Sequence, residues 1–130
     1  RCEDASRFET LDGIDREGVT VIVNPGGTNE KFARANIRKA TLVLHKDNAS
    51  VFEEIAAGRA DVMITDAIET RIVARDFPTL CATNPDAPFT QSQKAYLLPQ
   101  DEAWKARIDA WLADMEASGK KEVLFSRWVE

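Results

Sequence analysis

Short, unbroken runs of apolar residues alternate with helical repeats along most of this chain. Runs of this kind, rich in β-branched side chains, are typical of strands that are buried on both faces of a parallel sheet. They predict strands at residues 19–23, 40–44, 61–65 and 94–98, and a short strand at 79–83. The expected fold is therefore α/β, a lobe with a mostly parallel five-stranded sheet flanked by helices.

Between these strands, apolar residues recur at the three- and four-residue spacing of helices. Helices are predicted from Thr28 onward, over 51–57 and over 66–75. A shorter helix is predicted to begin at Ser6, because Ser-Arg-Phe-Glu matches a capping box.

Two amphipathic helices end the chain, the first of which runs from Asp101 to about Gly119. They carry more aromatic side chains than a small sheet already flanked by helices needs, among them Trp104, Trp111, Phe125 and Trp128. We therefore expect two parts, a lobe over 1–98 and C-terminal helices over 99–130. The helices are expected to cover something outside this sequence or to self-associate with a second copy.

Composition and charge narrow the classes of function. Apolar residues make up 44% and charged residues 30% of the 130 residues, as in ordinary globular domains. A net charge of −5 without clustered basic residues argues against nucleic acid as a partner. No apolar run approaches the roughly 20 residues of a membrane span. Small molecules are the expected partners.

The two cysteines, Cys2 and Cys81, leave two alternatives open. With a single histidine in the chain they argue against a metal site. A disulfide between them would close a long loop and would indicate an oxidising compartment, whereas the alternative is a pair of buried thiols. Since no strand precedes Cys2, we also expect this chain to be a piece of a longer protein.

The first group of candidate binding residues follows the strand at 19–23. In a parallel sheet the strand ends share one edge, which is where ligands of open α/β sheets bind. Gly26 and Gly27 form a turn before the helix at Thr28, whose unpaired N–H groups and dipole favour an anion such as a carboxylate. The backbone from Gly26 to Asn29 and the side chains of Thr28 and Asn29 are the predicted donors. The alternative is that Thr28 or Asn29 only caps the helix.

A second group follows the strand at 61–65. Asp66 and Glu69 are three residues apart, and so they are neighbours on the first turn of a helix. They would face the polar or cationic end of a small acid. The alternatives are that Asp66 is a helix N-cap and that Glu69 is its capping partner or a solvated charge. His45, at another strand end, is a weaker candidate for proton transfer.

Three segments resemble one family. They are Val-Asn-Pro-Gly-Gly-Thr-Asn-Glu-Lys-Phe-Ala-Arg-Ala-Asn at 23–36, Asp-Val-Met-Ile-Thr-Asp-Ala-Ile-Glu at 61–69 and Lys-Ala-Tyr-Leu-Leu-Pro at 94–99. They are similar to the second lobe of the type II periplasmic solute-binding fold, and specifically to the cyclohexadienyl dehydratases, periplasmic enzymes with that fold. The resemblance extends over nearly the whole chain, including both cysteine positions. It implies that a first lobe, with the other half of the ligand cleft, is missing, and that this piece alone is inactive.

The resemblance also implies an activity, the decarboxylating dehydration of prephenate to phenylpyruvate and of arogenate to phenylalanine. Glu69 matches the family's proposed general acid, while Gly27, Thr28, Asn29 and Asp66 would bind the substrate. A glutamic acid with an ordinary pKa of about 4.3 is ionised at neutral pH, so this role requires burial or nearby negative charge. Neither a metal nor an organic cofactor is needed.

The competing function is that of a non-catalytic receptor, an amino-acid-binding protein that delivers its ligand to an ABC transporter. Such a receptor would use the same Gly-Gly-Thr turn, and Asp66 would take the ammonium group of the ligand. Glu69 distinguishes the two functions, because a carboxyl group there serves proton transfer but adds unneeded charge to an amino-acid site.

Overall fold

The computed structural model describes residues 1–129. The chain divides into two compact units, Arg1–Pro88 and Phe89–Glu130. The first unit contains the sheet and the second contains the C-terminal helices. The predicted division of the protein into a lobe over 1–98 and helices over 99–130 stays a prediction.

A parallel sheet of three strands forms the centre of the first unit. β1 (Thr20–Val23) lies between β2 (Thr41–Leu44) and β3 (Val62–Met63), and both pairings are parallel. The helices of this unit are a 3₁₀ helix at Cys2–Phe8, α1 (Leu11–Ile14), α2 (Thr28–Asn36), α3 (Val51–Ala56) and α4 (Ala67–Asp76). The predicted α/β class with a parallel sheet is confirmed.

The core explains why the apolar run at 19–23 is unbroken. Val21 and Val23 point into one apolar cluster, which includes Ala33 of α2. Ile22, between them, points into a second cluster with Val51 of α3. Because α2 and α3 cover opposite faces of the sheet, every residue in the middle of β1 is buried and an alternating pattern is not possible.

Three local predictions are wrong. In residues 1–129, neither 79–83 nor 94–98 forms a strand, so the sheet has three strands where five were predicted. A strand needs the backbone of a neighbour, which a run of apolar residues does not supply; Tyr96 is 62% exposed, and Leu97 is wholly exposed. The predicted capping box at Ser6 is also absent, because Ser6 lies inside the 3₁₀ helix and Thr10 caps α1 by accepting a hydrogen bond from Gly13 N.

Cys2 and Cys81 are joined by a disulfide, with their Cα atoms 4.7 Å apart. A backbone hydrogen bond of 2.9 Å from Cys2 N to Thr79 O lies beside it. Of the two alternatives that the sequence left open, the structure therefore has the cross-link. It fastens the N-terminal 3₁₀ helix to the segment that follows α4.

A single carboxylate fixes the connection between α2 and β2. Asp15 Oδ1 accepts hydrogen bonds from the backbone N–H groups of Arg38, Lys39 and Ala40 at 2.8, 2.6 and 2.9 Å. These donors, that of Ala40 above all, hold the pKa of the Asp15 carboxyl below its usual range. Successive N–H groups of this kind form an anion-binding nest.

Replacing Asp15 with Asn is expected to lower the melting temperature at pH 7, because an amide oxygen accepts the same bonds without the charge. A depressed pKa stabilises the fold above the ordinary aspartate pKa of about 3.9, and that stabilisation disappears as the pH falls through the lower pKa of the folded state. The gap in melting temperature between wild type and variant should therefore close in acid. Thermal melts from neutral to acidic pH measure it, and a gap that is the same at every pH would contradict the charge-based account.

The second unit contains two helices, α5 (Glu102–Ala117) and α6 (Lys120–Val129), as predicted. Asp101 caps α5 by accepting hydrogen bonds from the backbone N–H groups of Ala103 and Trp104. Gly119, with a φ of +71°, supplies the left-handed residue at which the chain turns from α5 into α6. Over the described residues, no helix has the length and apolar character to cross a membrane.

Candidate functional site

The Gly-rich turn is held by a residue that sequence reasoning missed. Glu30, in the first turn of α2, accepts a hydrogen bond from Gly26 N at 2.5 Å and another from Arg34 Nε at 2.7 Å. The Gly26 N–H group, followed by the Arg34 guanidinium, lowers the pKa of the Glu30 carboxyl. Gly26 has a φ of +89°, a conformation that favours glycine. The Gly26 N–H group was predicted to bind a ligand, but in the structure it donates its hydrogen bond to Glu30.

The start of α2 leaves the other predicted donors in position. Gly27 is the N-cap residue, and it provides no side-chain cap. The alternative in which Thr28 or Asn29 serves only as the cap therefore does not hold. Gly27 and Thr28 are exposed to solvent and Asn29 is half-buried. The N–H groups of the first helical turn have no acceptor four residues earlier in the helix, and so they face outward as donors.

Asn29 and Glu69 meet through one hydroxyl group. Asn29 Nδ2 donates to Thr65 Oγ1 at 3.2 Å, and Thr65 Oγ1 donates to Glu69 Oε2. The chain of bonds joins the N-terminal turn of α2 to the N-terminal turn of α4, across the end of β3. All three side chains are half-buried. Two residues that were predicted separately, one as an anion donor and one as an acid, therefore belong to one cluster.

Thr65 is the second residue that the sequence did not identify as functional. It ends the predicted strand at 61–65, and a threonine there fits a strand as well as a site. Only the Asp-Ala-Ile-Glu sequence that follows indicated chemistry at this point in the chain. The tertiary structure places α2 beside Thr65, and this brings Asn29 within hydrogen-bonding distance of its hydroxyl group.

Asp66 lies at the N-cap position of α4, as one predicted alternative required. Its side chain nevertheless accepts no capping hydrogen bond from the helix. Glu69 lies in the first turn of α4, where its carboxyl group accepts from Thr65, so it is not merely a solvated charge. The structure thus places both carboxyl groups at the start of one helix, as the spacing predicted.

His45 belongs to a separate network in the loop after β2. His45 Nε2 lies 2.9 Å from Ser50 Oγ, and Ser50 Oγ donates to Asp47 Oδ2 at 2.9 Å. Because the hydroxyl proton is directed at Asp47, His45 is the donor to Ser50 and does not activate it as a nucleophile. The Ala49 N–H group, then the Ser50 hydroxyl, lowers the pKa of Asp47. This network closes the loop, and proton transfer by His45 stays a prediction.

The cluster at 27–29, 65, 66 and 69 combines hydrogen-bond donors on one helix with two carboxyl groups on another. Donors at a helix N-terminus bind an anion, and a glutamic acid held by one fixed hydrogen bond is suited to proton transfer. In residues 1–129, no group of three or more His, Cys, Asp or Glu side chains is arranged to hold a metal ion.

Comparison with curated proteins identifies a relative of known function. The chain is 53% identical over 129 residues to a cyclohexadienyl dehydratase of Pseudomonas aeruginosa. The resemblance to the cyclohexadienyl dehydratases is confirmed. The match covers 99% of this chain but 48% of the relative, so the chain spans about half the length of the dehydratase that it matches. No family model matches the chain.

Solved structures agree with this relationship to the dehydratases. An ancestral cyclohexadienyl dehydratase is 44% identical and superimposes with a TM-score of 0.65 over 98% of this chain and 53% of its own. An ancestral amino acid-binding protein, described as a precursor of cyclohexadienyl dehydratase, is 23% identical, with a TM-score of 0.80 over 98% of this chain and 54% of its own. An ancestral cationic amino acid solute-binding protein is 21% identical, with a TM-score of 0.74 over 98% of this chain and 55% of its own. The last two show the fold alone, and they confirm the predicted solute-binding-protein fold.

Proposed function

We propose that the complete protein is a cyclohexadienyl dehydratase, which converts prephenate to phenylpyruvate and arogenate to phenylalanine. This chain supplies one of the two lobes that enclose the substrate. The observation that carries the proposal is the chain of hydrogen bonds from Asn29 through Thr65 to Glu69, which sets an anion-binding helix start beside a carboxylic acid. The 53% identity to a curated dehydratase supports the same reaction.

In this proposal Glu69 is the general acid. Its proton passes to the ring hydroxyl, and the C–O bond breaks to release water. The bond between the ring and its quaternary carboxylate breaks as carbon dioxide leaves, and that electron pair completes the aromatic ring. Glu69 ends the step as a carboxylate and regains its proton from solvent.

The remaining residues of the cluster bind the substrate. The N–H groups of Gly27, Thr28 and Asn29 hold a substrate carboxylate, aided by the positive end of the α2 dipole. Asp66 lies at the N-cap position of α4. There it accepts a hydrogen bond from the ammonium group when arogenate is bound.

Isolated from the other lobe, this chain would be inactive, because it provides only half of the cleft. The proposed partner of the C-terminal helices is that missing N-terminal lobe. The evidence for it is the exposure of large aromatic side chains on α5 and α6, where Trp104 is 51%, Trp111 46% and Trp128 64% exposed. The disulfide between Cys2 and Cys81 fits the periplasm, an oxidising compartment.

An amino-acid receptor of an ABC transporter is the second candidate, because ancestral amino acid-binding proteins share this fold. Such a receptor would bind its ligand at the same turn and at Asp66. The receptor function does not explain why Glu69 has a carboxyl group that accepts a hydrogen bond from Thr65.

The deciding experiment is an assay of the complete protein with prephenate and with arogenate, following phenylpyruvate and phenylalanine. Turnover of either substrate is expected, while residues 1–130 alone should give none. Tight binding of an amino acid without turnover would favour the receptor.

Residues 1–130 on their own are expected to self-associate through α5 and α6, because exposed tryptophans lose contact with water when two copies pair. Sedimentation velocity at increasing concentration measures this. A species that stays at 14.5 kDa throughout would contradict the expectation.

A further inference from the structure

The hydroxyl group of Thr65 has two partners and a single proton. Its oxygen accepts from Asn29 Nδ2 at 3.2 Å, where the amide nitrogen is only a donor. The hydroxyl proton is therefore free to be given elsewhere, and it is directed at Glu69 Oε2. Asn29 thus fixes the direction of the hydrogen bond between Thr65 and Glu69.

We propose that Thr65 is a positioning residue that determines which oxygen of Glu69 carries the transferable proton, an inference that rests on the dehydratase function proposed above. Since Oε2 already accepts the Thr65 proton, the acidic proton of neutral Glu69 is on Oε1. Glu69 then presents one proton in one position. A carboxyl group without this bond could place its proton on either oxygen.

The same bond becomes stronger as the reaction proceeds. The proton moves from Glu69 Oε1 to the departing hydroxyl oxygen, the C–O bond breaks, and the carboxylate carbon leaves as carbon dioxide while its bonding pair enters the ring. Glu69 becomes negatively charged, and a hydrogen bond to a charged acceptor is about twice as strong as one to a neutral acceptor. Thr65 therefore stabilises the transition state more than bound substrate, which raises kcat and leaves KM little changed.

The surroundings of Thr65 favour this role. Ile64, just before it, is buried at 9% exposure and anchors the end of β3. α4 begins two residues later at Ala67 and carries Glu69 in its first turn. Because only four positions along the chain separate Thr65 from Glu69, the local backbone sets the distance between their side chains. Thr65 also borders a cavity of about 70 Å³ that Met63 and Val73 line with apolar atoms. A valine, which has the shape of threonine, fits there without displacing its neighbours.

Kinetics of Thr65→Val and Thr65→Ser in the complete protein, with prephenate as substrate, test the inference. Thr65→Val should lower kcat about ten- to a hundredfold with KM little changed, since a hydrogen bond to a charged group is lost. Thr65→Ser keeps the hydroxyl and should retain most of kcat. Should the valine variant fail to fold, Thr65→Ala is compared with Thr65→Ser, because the two differ only by the oxygen atom.

Thr70→Val is the matched control, since Thr70 Oγ1 donates only to Ala67 O within α4, at 2.7 Å. It makes the same change of a hydroxyl to a methyl group, at a position within α4 that has no contact with Glu69 in this hydrogen-bond network, and it should leave kcat unchanged. A wild-type kcat in Thr65→Val, equal losses in the serine and alanine variants, or a loss confined to KM would overturn the inference while leaving the dehydratase function in place. Absence of turnover in the wild type would overturn the proposed function and this inference with it.

Discussion

Replacing Glu69 with Gln in the complete protein is expected to abolish turnover of prephenate while leaving its binding nearly intact. An amide at this position still accepts the hydrogen bond from Thr65, but it has no acidic proton to give to the leaving hydroxyl. Loss of a general acid lowers rates by roughly 10²- to 10⁴-fold. Steady-state kinetics give kcat, and calorimetric titration of the inactive variant with prephenate gives the affinity.

The control for this variant is Glu53→Gln, which makes the same change at an exposed position in the first turn of α3. It should have the kcat of the wild type. A Glu69→Gln protein that keeps most of its kcat would remove Glu69 from the mechanism. A variant that loses binding and turnover together would instead make Glu69 a substrate-binding residue.

Loss of the disulfide is expected to have the largest effect on stability. The bond between Cys2 and Cys81 spans a separation of 79 residues, and closing a loop of that size raises the free energy of the unfolded chain by about 4.5 kcal/mol in the chain-entropy account. Urea unfolding of a Cys2→Ser, Cys81→Ser double variant should show a free energy of unfolding lower by about that amount. The two serines also remove the possibility of mispaired thiols.

The reductant supplies an internal control. Adding dithiothreitol should move the urea midpoint of the wild type toward that of the double variant, and it should leave the double variant unchanged. Equal midpoints for oxidised wild type and double variant would show that the cross-link contributes nothing to stability.

The pattern of apolar residues was sufficient to predict the central strand of the sheet and its parallel neighbours. A run of β-branched residues from Val19 to Val23 fits only a strand with both faces buried, and the helical repeats on either side required parallel crossovers. The same reasoning failed at 79–83 and 94–98. Those segments have the composition of strands, but composition does not state whether another backbone lies within hydrogen-bonding distance.

By itself the sequence determined which loops and helices follow the carboxyl ends of the strands. The candidate residues in those segments were therefore expected at one edge of the sheet: Gly27, Thr28, Asn29, Asp66 and Glu69. This was possible because hydrophobic periodicity and turn residues act over a few positions, within the reach of local sequence. Only the tertiary structure decided that Glu30 takes the Gly26 N–H group, that the two cysteines are bonded, and that Thr65 joins Asn29 to Glu69. The bonds of Thr65 to Asn29 and of Cys2 to Cys81 join residues 36 and 79 positions apart, and a hydrogen bond or a disulfide depends on ångström distances that folding alone sets.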